Sequence, residues 1–396
     1  MVELEGIAEA PADVLMDVAP RIGFGSRVRK SPFFDATLRW GCKAYSTYNH
    51  MYMPLYYESP VADYWKLISD VTLWDVAVER QLEITGPDAA KLVQYLTPRN
   101  LSTMEVGQCK YVVICDQHGG VVNDPILLKL GQNHFWLSMA DSDLLLWAKG
   151  LQVHSGFNVA LSEPDVSPLQ IQGPVSTQVM ADLFGDWIND LKYYWFREAE
   201  LEGMPLVISR TGWSNERGYE VFLRDGQYGD ILWERIMAAG KLYGIAPAAP
   251  STIRRVEAAL LSYGADMDLG VNPFELGLGR LVDLEMPAEF VGKGALRRIA
   301  AEGPLRKLVG MTLGGSALES PNEEPWSVLD AEGALAGKVT SAVYSPRLDR
   351  NIALALLRQN IALEGSEFQV IAPSQQLSGT VVPIPFYNPK KLKAAS

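Results

Sequence analysis

Near residue 305 the chain changes character, and that change limits the folds open to it. Before it, strand-like pieces alternate with helix-like ones. After it only short β runs remain (LVGMTL, GKVTSAVYS, NIALALL, EFQVIA and TVVPIPF), separated by Gly and Pro turns. Strands with no intervening helix must satisfy their edges among themselves, which favours a barrel or sandwich. A chain of 396 residues also exceeds what one core usually fills. Together these features divide it into two α+β regions, 1–164 and 165–300, and an all-β region, 301–396.

Within the first region, residues 81–84 alternate polar and apolar, and Gly86-Pro87-Asp88 ends the run. Asp88 is placed to cap the helix DAAKLVQYL. Three strands over 111–115, 121–130 and 134–139 read as an antiparallel meander, and Asp141-Ser142-Asp143 precedes the helix LLLWAKGLQVH. The second region reads as a strand at 169–171, the helix VSTQVMADLF, and strands at 206–210 and 219–223 flanking the loop TGWSNERG. Helices follow at 228–239 and over TIRRVEAALLSYG, the latter ended by Gly264. Helix, meander, helix is an α+β order rather than a doubly wound one. Residues 1 to about 30 read as a loosely held arm and KKLKAAS as a frayed tail.

Charge and composition exclude several classes. Acidic residues (47) outnumber basic ones (35), a formal charge of -12, which argues against non-specific nucleic-acid binding and hints at a cationic small substrate. Cys42, Cys109 and Cys115 form no CxxC pair, and His50, His118, His134 and His154 are scattered, so no disulfide framework or metal site is expected. The acidic, Pro-interrupted start is unlike a signal peptide and no apolar run is long enough for a membrane span; the expected address is a reducing cytoplasm. GxGxxG, Walker A, HExxH and GxSxG sequences are absent, which disfavours NAD enzymes, NTPases, zinc proteases and α/β-hydrolases.

Three places carry possible chemistry. In Gly119–Pro125, Asp124 stands on a strand entering an apolar run; turned inward it needs a partner or a cationic ligand, and otherwise it simply ends a strand before Pro125. In Thr211–Glu220, a Gly-rich loop carries Trp213, with Tyr219 and Glu220 after it. This set can stack on a planar heterocycle and accept paired hydrogen bonds from an amidine-like edge; the alternative is an exposed hairpin with a surface Glu. The aromatics Tyr193, Tyr194, Trp195 and Phe196, with Tyr45, Tyr48, Tyr52, Tyr56 and Tyr57, can cage a sulfonium or quaternary ammonium, or be ordinary core.

At these residues the chain resembles the glycine-cleavage T-protein (aminomethyltransferase) superfamily, and within it the tetrahydrofolate-dependent dimethylsulfoniopropionate demethylase branch. The resemblance runs from about Arg29 to Pro389. It is carried by Leu73-Trp74-Asp75-Val76, Glu79-Arg80-Gln81, Gly107-Gln108-Cys109-Lys110-Tyr111, Val122-Asn123-Asp124-Pro125, Ile171-Gln172-Gly173-Pro174, Gly212-Trp213-Ser214-Asn215, Gly218-Tyr219-Glu220, Arg255-Val256-Glu257 and Ser262-Tyr263-Gly264. It implies a three-domain cloverleaf, two α+β domains and a C-terminal β-barrel, around a central folate channel. By resemblance Asp124 lies near the folate's reactive nitrogen, Glu220 grips the pterin's aminopyrimidine edge, and Trp213 and Tyr111 line the folate site. Phe222 stands where the branch has Tyr. Ser251 stands where T-proteins have a folate-contacting Arg, and Ala249-Pro250-Ser251 where the demethylases have Cys-Pro-Asn. Asn123 replaces the T-protein's second acidic residue.

The implied reaction moves a methyl group from a small sulfonium or betaine donor to N5 of tetrahydrofolate, with Asp124 and Tyr111 as catalytic residues and no metal. Tyr194, Trp195 and Tyr48 are the candidates to face the donor. The alternatives are an aryl methyl ether O-demethylase, or an aminomethyltransferase serving a lipoyl carrier protein. A folate-binding or iron–sulfur-assembly relative is disfavoured because Phe290-Val291-Gly292-Lys293-Gly294 lacks that group's Cys. A monomer or homodimer, without nucleic-acid or membrane partners, is expected.

Overall fold

The computed structural model describes residues 25–373 and 375–387. The tail, and the expected arm as far as residue 24, lie outside the described residues.

Two sheets face each other. A five-stranded sheet runs in the order Ala160–Ser162, Gln81–Thr85, His134–Ser138, Ile126–Gly131, Cys109–Tyr111. A six-stranded sheet runs Phe196–Leu201, Met204–Ser209, Gly218–Leu223, Ser167–Gln172, Thr72–Asp75, Ala246–Ala248. Helices cover the outer faces. Ala89–Leu96 and Leu144–Ser155 bury Leu92, Val93, Leu96 and Leu144 on the first sheet. Ser176–Phe184 and Gly229–Gly240 bury Val179, Met180, Trp233 and Ile236 on the second. Between the sheets Cys109, Leu128 and Trp136 meet Val207 and Phe222. Because side chains alternate across a strand, each sheet feeds an outer core and this inner layer at once. Residues 72–75 fall in the first linear region but pair with Ser167–Gln172, so the chain crosses between the sheets before residue 81.

The third region is a closed six-stranded barrel, in the order Arg306–Leu313, Arg350–Arg358, Leu335–Ser345, Trp326–Leu329, Glu367–Ala372, Gln375–Val382. Closure removes exposed sheet edges. The strand Trp326–Leu329 is absent from the sequence reading, being a four-residue run after Pro325. The last strand ends at Val382, before the proline-containing 383–385 stretch, where the reading carried it on to Phe386; proline offers no N–H to a ladder.

Other differences have local causes. The strand expected at 121–130 breaks at Asp124-Pro125. Val121–Asn123 pairs with Ile114–Cys115, and Ile126–Gly131 pairs with His134–Ser138 and Cys109–Tyr111. The helix expected over 252–264 stops at Ala258, because Ala259 is left-handed (φ 53°) and the Leu260 N–H turns back to the Arg255 carbonyl. Asp88 sits at the N-cap position but its side chain makes no cap bond; it accepts from Lys91 Nζ (2.7 Å) and Asn158 N (3.0 Å) instead. Asp143 likewise makes no side-chain cap. No helix among the described residues is long and apolar enough to cross a membrane.

Candidate functional site

The inner layer carries three carboxylates. Asp124 lies at the strand break, where the chain leaves one sheet for another. Its Oδ2 accepts from the Tyr111 hydroxyl (2.9 Å), while Oδ1 is buried and has no partner. Burial pushes this carboxyl up to about 7, against the hydrogen bond from Tyr111, which lowers it. Glu220 lies on Gly218–Leu223, 3% exposed, facing the inner layer because Tyr219 and Val221 face the outer core. It accepts from Gln170 Nε2 (2.7 Å), Ser209 Oγ (3.4 Å) and Thr211 Oγ1. Burial raises its pKa and these bonds oppose the rise.

The third carboxylate, Glu79, was not among the sequence-derived site residues. It precedes the strand Gln81–Thr85 and accepts from Ser138 Oγ (3.3 Å) and, at the limit of a hydrogen bond, from Gln170 Nε2 (3.5 Å). Burial first, then the charge of Glu220, push its pKa well up; Asp124 adds to the rise and the Ser138 bond opposes it. The signal that could have found it is an acidic residue directly after the buried run Thr72–Val78. Among the described residues the hydrogen-bond donors to these three side chains are Tyr, Ser, Thr and Gln, all neutral.

The folate loop predicted from sequence is clamped from below by Gln172. Its amide donates to the Thr211 carbonyl (3.3 Å) and its Oε1 accepts from Ser214 Oγ (2.6 Å). A Cβ on Gly212 or Gly218 would stand 2.1 or 2.2 Å from that amide, so only glycine fits on either side of it. Trp213, half-buried, donates Nε1–H to the Leu261 carbonyl (3.2 Å), and its backbone N–H points at Gln170 Oε1 (3.5 Å). Gln170 thus links the loop to Glu220 and Glu79.

The aromatic candidates separate. Tyr48 packs against the core that includes Met51 and Val78; burial, then the charges of Asp124, Glu79 and Asp141, hold its phenol well above its usual value. Tyr194 reaches the inner layer, where burial and then neighbouring Tyr193 and Glu220 raise its pKa. Trp195 does not join it. Tyr194 and Phe196 face the inner layer and Trp195, between them, faces the outer core, as alternation along an extended chain requires. Phe222 is fully buried against Trp136 (ring centroids 6.3 Å apart) and fills the layer rather than lining open space. Tyr45 and Tyr52 form a separate cluster with Phe34.

Two departures from the family pattern have structural roles. Asn123 donates to the Ala140 carbonyl (3.0 Å) and Ser142 Oγ (2.7 Å) and accepts from Ala140 N (3.0 Å), which commits its amide to the 140–142 turn. Ser251 Oγ caps the helix Thr252–Ala258 by accepting from Arg254 N (3.3 Å).

The chain matches the GCVT N-terminal domain over residues 33–286 and the glycine cleavage T-protein C-terminal barrel domain over 306–388. It is 38% identical to the dimethylsulfoniopropionate demethylase DmdA of Ruegeria pomeroyi, over 90% of this chain and 96% of that one. It is 30% identical to an aminomethyltransferase of Desulfitobacterium hafniense, over 92% and 99% respectively. The glycine cleavage system aminomethyltransferase T of Bartonella henselae superposes with a TM-score of 0.82 at 22% identity, covering 91% of this chain and 98% of that one, which shows the shared fold. With both domain matches, the closed barrel and the paired sheets in place, this chain belongs to the glycine-cleavage T-protein family.

Proposed function

We propose that this protein is a tetrahydrofolate-dependent demethylase that moves a methyl group from a small sulfonium of the dimethylsulfoniopropionate class to N5 of tetrahydrofolate. The observation that carries the reading is Asp124: a half-buried carboxylate with one oxygen held by Tyr111 and the other shielded from solvent without a partner. The similarity to the Ruegeria demethylase, over nine-tenths of both chains, supports the donor class.

The residues suit a folate. Glu220 is held by three neutral donors, Gln170 on one oxygen and Ser209 and Thr211 on the other, one of which a paired N–H edge would replace, and Trp213 stands beside it through Gln170. Tetrahydrofolate, when bound, supplies a nucleophilic nitrogen that accepts the methyl group. The donor's C–S bond breaks with its electron pair staying on sulfur, so a neutral thioether leaves and needs no proton. Asp124 Oδ1 stabilises the positive charge that appears as the methyl arrives, and takes the proton then released. A carboxyl near 7 accepts that proton and returns it to water at neutral pH. The sheets on either side exclude water and hold the partners in line.

Aminomethyl transfer is the less supported reading. Where T-proteins place an acidic residue and an Arg, Asn123 and Ser251 are engaged in a turn and a helix cap. The test is to incubate the purified protein with tetrahydrofolate and dimethylsulfoniopropionate and to follow 5-methyltetrahydrofolate and the demethylated thioether by mass. Both are expected in equal amounts. No methylated folate with any sulfonium, betaine or aryl methyl ether would overturn the proposal; turnover of the ether alone would replace the donor class.

A further inference from the structure

We propose that Glu79 is the residue that makes this site select a cationic methyl donor over a neutral one. The inference rests on the demethylase reading and adds a specificity residue to it.

The placement follows from strand pairing. His134–Ser138 lies between Gln81–Thr85 and Ile126–Gly131 and is antiparallel to both. Ser138 pairs with Gln81 on one side and Ile126 on the other. Glu79 and Asp124 each stand two residues before those partners, so both carboxylates leave the same end of the sheet. Ser138 holds Glu79 there (3.3 Å), and Gln81 Nε2 donates to Ser138 Oγ from behind (2.9 Å). On the facing sheet Gln170 pairs with Glu220 and reaches Glu79 with the same amide. Glu79 therefore stands between the carboxylate suited to a pterin edge and the one suited to methyl transfer, which is where a donor methyl must arrive.

The chemistry of that position selects for charge. Glu220 has three dedicated donors; Glu79 has one moderate bond and one at the limit. The groups whose charge reaches it are Glu220, Asp124 and Tyr48, and Tyr48 in turn faces Asp141. None is a cation. A neutral ligand leaves these carboxyls to be neutralised by protons, whereas a sulfonium replaces the protons with its own charge. Binding a cationic donor thus releases protons, and its affinity rises with pH until the carboxyls are ionised. A neutral ligand of the same shape gains nothing from the same change.

The test compares dimethylsulfoniopropionate with 4-methylpentanoate, which has the same carboxylate and shape but carbon in place of the sulfonium, so the two differ only in the positive charge. Binding of each is measured calorimetrically at pH 6, 7 and 8, in buffers of different ionisation enthalpy, for wild type, Glu79→Gln and Glu79→Asp. Wild type should bind the zwitterionic sulfonium with proton release and increasingly tightly toward pH 8, whereas the anionic analogue, with no sulfonium to balance the carboxyls, should release no protons and gain no affinity. Glu79→Gln should weaken the sulfonium about tenfold at pH 8 and flatten its pH dependence, with the anionic analogue not weakened and tetrahydrofolate changed less than about twofold. Glu79→Asp should recover part of the charge discrimination. Equal weakening of both acids by Glu79→Gln, or a matching loss of tetrahydrofolate affinity, overturns the assignment. Charge-selective binding that needs Glu79 but yields no 5-methyltetrahydrofolate upholds it and sinks the demethylase reading.

Discussion

Asp266 and the Oδ1 of half-buried Asp124 are both shielded from solvent, and their surroundings treat them in opposite ways. Asp266, 2% exposed, receives Arg255 Nη1 (2.8 Å), Thr340 Oγ1 (2.6 Å), Ser341 Oγ (2.7 Å) and the Ser262 N–H (3.0 Å). Arg255 lies on the helix Thr252–Ala258 and Thr340 and Ser341 on a barrel strand, so this compensated charge joins the barrel to the rest of the molecule. Asp124 has one neutral donor and an idle oxygen. A buried charge with its full set of partners holds elements together; one left short of partners costs stability until a ligand completes it.

The contrast breaks first at Arg255. Arg255→Ala leaves Asp266 buried without a cation and should cost about 3–5 kcal/mol, read as a lower denaturant midpoint. A change too small to measure would erase the distinction between the two aspartates. Next is Asp124→Asn, expected to lower kcat about 10²–10³-fold because the amide can neither stabilise charge nor accept the proton; near-wild-type kcat would remove Asp124 from the chemistry. Glu220→Gln should follow, weakening tetrahydrofolate about 10–100-fold in a fluorescence titration, since one acceptor of the paired edge becomes a donor.

A smaller effect sharpens the comparison through pH. The folded-state carboxyl of Asp124 is raised to about 7, so the native protein keeps a proton that the unfolded chain has lost. Its contribution is favourable below the unfolded pKa of about 4 and is lost as pH rises through 7. Asp124→Asn, though impaired as an enzyme, should therefore be more stable than wild type by about 1–3 kcal/mol at pH 8 and show no such gain at pH 4. Urea titrations at both values decide it; a gain of equal size at both would place the effect outside ionisation. Smallest of all is Trp195→Phe. With its ring on the outer core, kcat/KM should stay within about threefold of wild type, and a loss above tenfold would return Trp195 to the donor site.

What the sequence made legible follows the range of the forces involved. The helices Ala89–Leu96, Ser176–Phe184 and Gly229–Gly240 lie within a residue or two of their expected limits, because apolar spacing and flanking turn residues are local signals. The barrel was foreshadowed by the loss of helical periodicity near 305. The early stop at Ala259 was not, since alanine carries no turn signal of its own and its left-handed backbone is held by carbonyls of the preceding turn. Asp124 and Glu220 are picked out by residue type and by resemblance, Tyr111 by resemblance alone. Glu79 was missed because its surroundings come from Ser138 and Gln170, 59 and 91 positions away. Trp195 and Tyr194 cannot share one site because adjacent residues of an extended chain face opposite sides, a period-2 signal that grouping the aromatics together passes over.

The interruption at Asp124-Pro125 has a further consequence. An aspartate inside an unbroken strand would take its bearing from one pleat and drift with it. Here the segment on one side is anchored to Ile114–Cys115 and the segment on the other to His134–Ser138. The carboxylate is fixed like a survey mark sighted from two baselines, so a tilt of either sheet alone is resisted by the other. The proline that forfeits a ladder hydrogen bond thereby supplies the stiffness that alignment of a methyl group demands.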